Sequence, residues 1–224
     1  MKGSVVQNLI LSDWQRHRIQ IFLSIAGGGL ALALIQVGGE LPFILGATWF
    51  FVSLIVLGSM LPVSNVVNER KKQILPFLMS LPLSVTQYTT AKIVSTVGMF
   101  LAPWLTLFAA ALIFIVGRKS IPDGIIPATI ILMTFTFVGF CLIAGVAMVS
   151  ESEGWTIAAT VFANSSYGFG WYLLVRNPVI RGDLSSPVPV WSPEILTILG
   201  TEFATIVVVL GLTLYLQSRK RDFV

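Results

Sequence analysis

Charge is what this chain has least of. Only 11% of its 224 residues are Asp, Glu, Lys or Arg, while 55% are hydrophobic and the mean hydropathy is +0.88. Soluble globular domains carry about 25% charged residues. A soluble fold of this length has too little interior to hide so much apolar surface, and a bilayer removes that difficulty by standing in for a core. Cysteine is almost missing as well. Cys141 stands alone in an apolar run, which excludes an intrachain disulfide or a thiolate metal cage. The single histidine, His17, lies between Arg16 and Arg18 and has no neighbours suited to a metal site or a Ser-His dyad, so it reads as an interfacial polar residue. No Gly-x-x-x-x-Gly-Lys-Ser/Thr phosphate loop occurs, so the chain cannot hydrolyse a nucleotide by that route. These absences assign no catalytic residue, metal or cofactor to the chain and argue against an enzyme.

What the chain does have is long apolar runs. A helix needs about 20 apolar residues to cross the hydrocarbon. Runs 19–37, 42–62, 93–116, 121–149, 155–175 and 195–217 qualify, so the expected fold is all-α, polytopic, with six transmembrane helices in one domain. The fifth run is the weakest, because Asn164, Ser165, Ser166 and Tyr167 interrupt it. Orientation follows from lysine and arginine. With the amino terminus in the cytoplasm, ten basic residues fall inside and four (Arg118, Lys119, Arg176, Arg181) outside. An even number of spans brings the carboxyl terminus, with Arg219, Lys220 and Arg221, back to the same side. The net charge of +4 thus speaks of topology and lipid rather than of nucleic acid. Residues 1–18 lack the apolar core of a cleavable signal, and insertion is expected to rely on the first span.

Three stretches between spans carry further expectations. In 4–18, Val5, Val6, Leu9, Ile10 and Trp14 recur at helical spacing between basic residues, the pattern of an interfacial helix. In 65–84 a charged start, Glu69-Arg70-Lys71-Lys72, leads to an apolar helical face at Leu75, Leu78 and Met79, which Pro82 ends. An exposed apolar face on a cytoplasmic loop calls for a partner. Segment 176–194, with Pro178, Pro187, Pro189 and Pro193, cannot be helical throughout and reads as an outer loop or a re-entrant cap.

Inside the predicted spans, Glu202 is the one ionisable side chain far from an end, and an intramembrane carboxylate is costly enough to suggest a role. Two readings stand: a structural or wetted position, and coupling to a proton or substrate. Asn164, Ser165, Ser166 and Tyr167 either bond neighbouring helices or line a wet path. Gly27, Gly28 and Gly29 mark close helix packing.

The loop after the second span resembles the coupling region of permease subunits of ABC type-2 transporters, the bacterial exporter class. Glu69, Arg70, Leu75, Leu78, Met79, Pro82, Ser84, Tyr88 and Lys92 stand at matching positions; Gln73-Ile74 and Pro76 depart from the pattern. The resemblance implies an amino-terminal elbow helix, a cytoplasmic coupling helix at 65–84 and an extracellular cap at 176–194. It implies two copies of a separate ATPase subunit, which would bind ATP and Mg and dock on Glu69–Ser84. It also implies a second permease subunit, identical or related, and a path lined by spans two and five. Asn164, Ser165, Ser166, Tyr167 and Glu202 are the path candidates. The location it implies is the cytoplasmic (inner) membrane. Competing functions are a non-transporting scaffold, sensor or immunity protein, and a lipid- or peptide-processing membrane enzyme, for which Glu202 alone supplies too little chemistry.

Overall fold

The computed structural model describes residues 2–67, 85–118 and 121–219, and every regular element among them is helical. The helices are α1 (Lys2–Gln36), α2 (Glu40–Pro62, continued by a π-helical turn, Val63–Val67), α3 (Val85–Val116), α4 (Ile125–Ser150), α5 (Glu153–Arg176), the short α6 (Pro178–Asp183) and α7 (Pro193–Arg219). Five of them, α1, α2, α3, α4 and α7, are long and apolar enough to cross a membrane. This is a helical, multi-pass membrane protein. Helix α5 has the length, at 24 residues, but its Asn-Ser-Ser-Tyr run dilutes its apolar character.

Several boundaries differ from those read off the sequence. The expected interfacial helix over 4–18 is not separate: α1 runs unbroken from Lys2 to Gln36, and its apolar stretch begins at Ile10. No proline lies in this region, and no glycine stands between Ser4 and Ala26, so nothing interrupts the backbone where an elbow would bend. The fourth span starts at Ile125 rather than Ile121, because Pro122-Asp123-Gly124 forms a turn. The third span starts within a helix that extends back to Val85.

Helix α4 is the central pole. Its apolar stretch is 61% buried, against 11% for α7, and it meets α2, α3, α5 and α7. Around it, Phe100 stacks on Phe140 at 4.2 Å between ring centroids, and Leu57, Leu61, Met99 and Cys141 fill the space beside them. The Trp104 indole donates to the Met133 carbonyl (2.8 Å), bonding α3 to α4. The outward faces of α1, α5 and α7 are apolar and exposed, including Phe22, Leu30, Phe162, Phe169, Phe203 and Val208, as lipid-facing surfaces are.

Helices α1 and α2 form an antiparallel hairpin reversed at Gly38 (φ 82°) and Gly39 (φ 92°), backbone angles that L side chains rarely adopt. Their approach is close. A Cβ on Gly46 would sit 2.8 Å from the Ala31 carbonyl oxygen and 2.5 Å from Ile35 Cγ1. Of the glycine triplet, Gly28 faces Leu107 tightly, whereas nothing lies within 4 Å of a Cβ on Gly29. Gly46→Ala is therefore expected to cost ~1–3 kcal/mol through overpacking, while Gly29→Ala is neutral or slightly stabilising. Thermal unfolding of both variants in detergent checks the contrast; equal midpoints would mean the hairpin is looser than described.

Candidate functional site

Polar groups in the bundle gather most densely where α1, the end of α2 and the start of α3 meet. Pro62 has no N–H to continue the α-helical ladder, and the chain passes at once into the π-helical turn Val63–Val67. That turn carries Asn65 inward, fully buried. From α3, Lys92 points to the same spot, with Ser95 and Thr96 one turn on; from α1 comes Asp13.

The contacts are mutually consistent. Lys92 Nζ donates to Asp13 Oδ1 (3.1 Å) and Oδ2 (3.0 Å) and to Asn65 Oδ1 (3.0 Å). An ammonium can only donate, so the Asn65 amide must turn its oxygen to Lys92. Its nitrogen then donates to Thr96 Oγ1 at 2.7 Å, while Ser95 Oγ donates to Asp13 Oδ2 at 3.0 Å. Asp13 and Lys92 are only 3% and 5% exposed. A buried ion pair is tolerable only when further hydrogen bonds satisfy both charges, as they do here.

A polar column continues along α1. His17, four residues beyond Asp13, is buried rather than interfacial as expected from the sequence. Its Nδ1 lies 3.0 Å from Gln20 Oε1, and its Nε2 has no hydrogen-bond partner among the described residues. Farther along, Ser24 Oγ donates to the Ser53 carbonyl (3.1 Å), fastening α1 to α2.

The coupling residues expected from the sequence, Glu69, Arg70, Leu75, Leu78, Met79, Pro82 and Ser84, lie outside the described residues. The path candidates are described, and they do not form one site. Asn164 and Tyr167 line a cavity of about 20 Å3 between α2, α4 and α5, with Leu54, Gly58 and Thr136 on its walls. That is room for about one water. The Tyr167 ring packs between Phe51 (5.8 Å) and Phe135 (5.9 Å). Ser165 is exposed on the outer face, and Ser166 is half-buried. Glu202 does not line that cavity. It belongs to the buried stripe Ile195, Glu202, Ile206, Thr213, Gln217 of α7, and neither carboxyl oxygen has a hydrogen-bond partner among the described residues. The far end of this stripe is tied to α4 by Gln217 Nε2, which donates to the Met148 carbonyl.

An unpaired buried carboxyl should weaken the fold. Glu202→Leu is expected to raise stability by ~1–3 kcal/mol, read as a higher thermal midpoint in detergent. A lower midpoint would show that the carboxyl has a partner in the assembled protein.

Segment 176–194 folds over the opposite end of the bundle. Asn177 Oδ1 caps α6 by accepting from the Val179 amide (3.0 Å), and Ile180 fits among Ile131, Leu132, Leu174 and Ile195. The Gly124 amide donates to the Ser186 carbonyl at 3.0 Å, holding this segment to the turn before α4. Among the described residues no group of three or more His, Cys, Asp or Glu could hold a metal ion.

Sequence reading passed over Asp13, Asn65, Ser95 and Thr96. One signal was present: Asp13 and His17 share a helical stripe with Ile21, Ser24, Ala31 and Ile35, so a carboxylate stood on an otherwise core-facing surface. No protein-family model, curated protein or solved structure matches the chain.

Proposed function

We propose that this chain is the permease subunit of an ATP-driven ABC exporter, with segment 69–84 as the contact for separate ATPase subunits. In this reading α5 is the fifth of six spans, both termini are cytoplasmic, and the protein resides in the inner membrane. Two permease subunits enclose the path, and two ATPase subunits power alternating access. The observation that carries the proposal is the buried knot at Asp13, Asn65 and Lys92. It fastens to α1 the two residues, Asn65 and Lys92, that begin and end the stretch with the coupling-like pattern. A loop that only joins two spans has no need of a buried ion pair at its base. The lack of a phosphate loop in this chain fits an engine supplied by another subunit.

The folded segment 176–194 supports an outer cap, and Asn164 and Tyr167 line a small, mostly apolar cavity between the second and fifth spans of this reading.

Sidedness tests the reading. Cys141 is buried, so a cysteine placed at Lys71 is the reactive one. In right-side-out vesicles, a membrane-impermeant maleimide is expected to label Lys71→Cys only after the membrane is opened, and to label a cysteine at Arg181 without opening. Labelling of the Lys71 site from outside would overturn the orientation and the ATPase contact with it.

A further inference from the structure

Three helices meet at the Asp13–Lys92–Asn65 knot, and what each contributes differs. Asp13 belongs to a helix that continues unbroken to Gln36, at the other end of the bundle. Asn65 sits on the π-helical turn and Lys92 near the start of α3, on either side of segment 68–84. Apolar contact is non-directional and lets helices slide or rotate against each other. Charge-assisted hydrogen bonds fix distance and register. Lys92 bonds both oxygens of Asp13 together with the Asn65 amide, so it sets α1, α2 and α3 relative to one another at a single point.

From this geometry we infer that Asp13, Lys92 and Asn65 form a rigid joint. It makes the amino-terminal half of α1 move as one body with the end of α2 and the start of α3. Displacement of those two helix ends is thereby delivered into α1 and, through the α1–α2 hairpin, to the far end of the bundle. Asp13, Asn65 and Lys92 are positioning residues. The joint stands on its own contacts; its consequence for transport rests on the proposed ATPase-driven function.

The experiment places spin labels at Leu11 and Val94, which are 59% and 53% exposed on α1 and α3. It uses the full chain in lipid nanodiscs and reads the distance distribution by pulsed electron resonance. Wild type and Lys92→Arg, which keeps the charge, are expected to give one narrow distance. Asp13→Leu/Lys92→Met, which replaces the pair by apolar side chains and keeps the fold, is expected to broaden the distribution about two-fold. Asp13→Asn/Lys92→Gln substitutes for it should the apolar pair fail to fold. Equal widths in wild type and a folded double variant overturn the joint. In the complex with the ATPase subunit, the double variant is expected to retain hydrolysis while substrate moved per ATP falls about five-fold or more. An unchanged ratio overturns the delivery of motion. An ATPase subunit that does not bind the wild type counts against the proposed function, and the distance widths then decide on the joint alone.

Discussion

Lys92→Met alone is expected to destabilise the protein by ~3–5 kcal/mol, the cost of leaving a buried carboxylate without its counter-ion. Asp13 would lose both hydrogen bonds from the ammonium and retain the one from the Ser95 hydroxyl, and Asn65 would lose the donor that orients its amide. Asp13→Leu alone should cost about as much, since it strands the ammonium instead. The two changes together should restore most of the loss, because replacing both charges by apolar groups of similar volume is often neutral. This non-additivity is the signature of a direct pair. The measurement is the denaturation midpoint of the four proteins in one detergent. Additive losses would mean that Asp13 and Lys92 act apart and that their 3.0 Å contact is not formed in the membrane.

The second large effect concerns function. Leu78→Ala is expected to weaken ATPase docking by ~2 kcal/mol, about 30-fold, if Leu78 is an anchor at the centre of that contact. Leu75, Leu78 and Met79 recur at the spacing expected of one apolar helical face, and Glu69 and Arg70 precede them in the sequence. On the proposed function, removing this leucine should reduce ATP hydrolysis stimulated by the chain and transport together, with the chain still folded. Glu69→Ala should act differently: a charge at the rim of a contact is worth less than a buried anchor, so docking survives while transport per ATP drops. ATPase assays on reconstituted complexes separate the two outcomes. Normal docking and transport in Leu78→Ala would remove the apolar face from the contact.

The membrane class and most helices were legible because spans need long apolar runs, a signal that survives without any knowledge of packing. Helix ends were less legible. Nothing in 4–18 says whether an amphipathic stretch lies on the membrane or simply continues into the next span; the unbroken backbone through Arg18 and Ile19 decides that. The Pro122-Asp123-Gly124 turn could be seen as turn chemistry, yet the apolar residues around it drew the span boundary back to Ile121. The polar knot was the hardest part. Asp13 and Lys92 are 79 positions apart in the chain, and the Asn65 that completes their site is carried by a π-helical turn. In the sequence Asp13 belongs to no motif, and Lys92 enters only through the coupling-like resemblance. The candidate path was legible only in part. Asn164 and Tyr167 share a cavity while Ser165 faces outward, because four consecutive polar residues on a helix necessarily point in several directions, and Glu202 lies on α7 away from that cavity.

Co-purification tests the account most directly. On the proposed function, the chain expressed with a candidate phosphate-loop ATPase subunit should come out of mild detergent as a complex of two copies of each, and Leu78→Ala should lose the ATPase. A chain that is always recovered alone and well folded, with no ATPase at any nucleotide state, would contradict it.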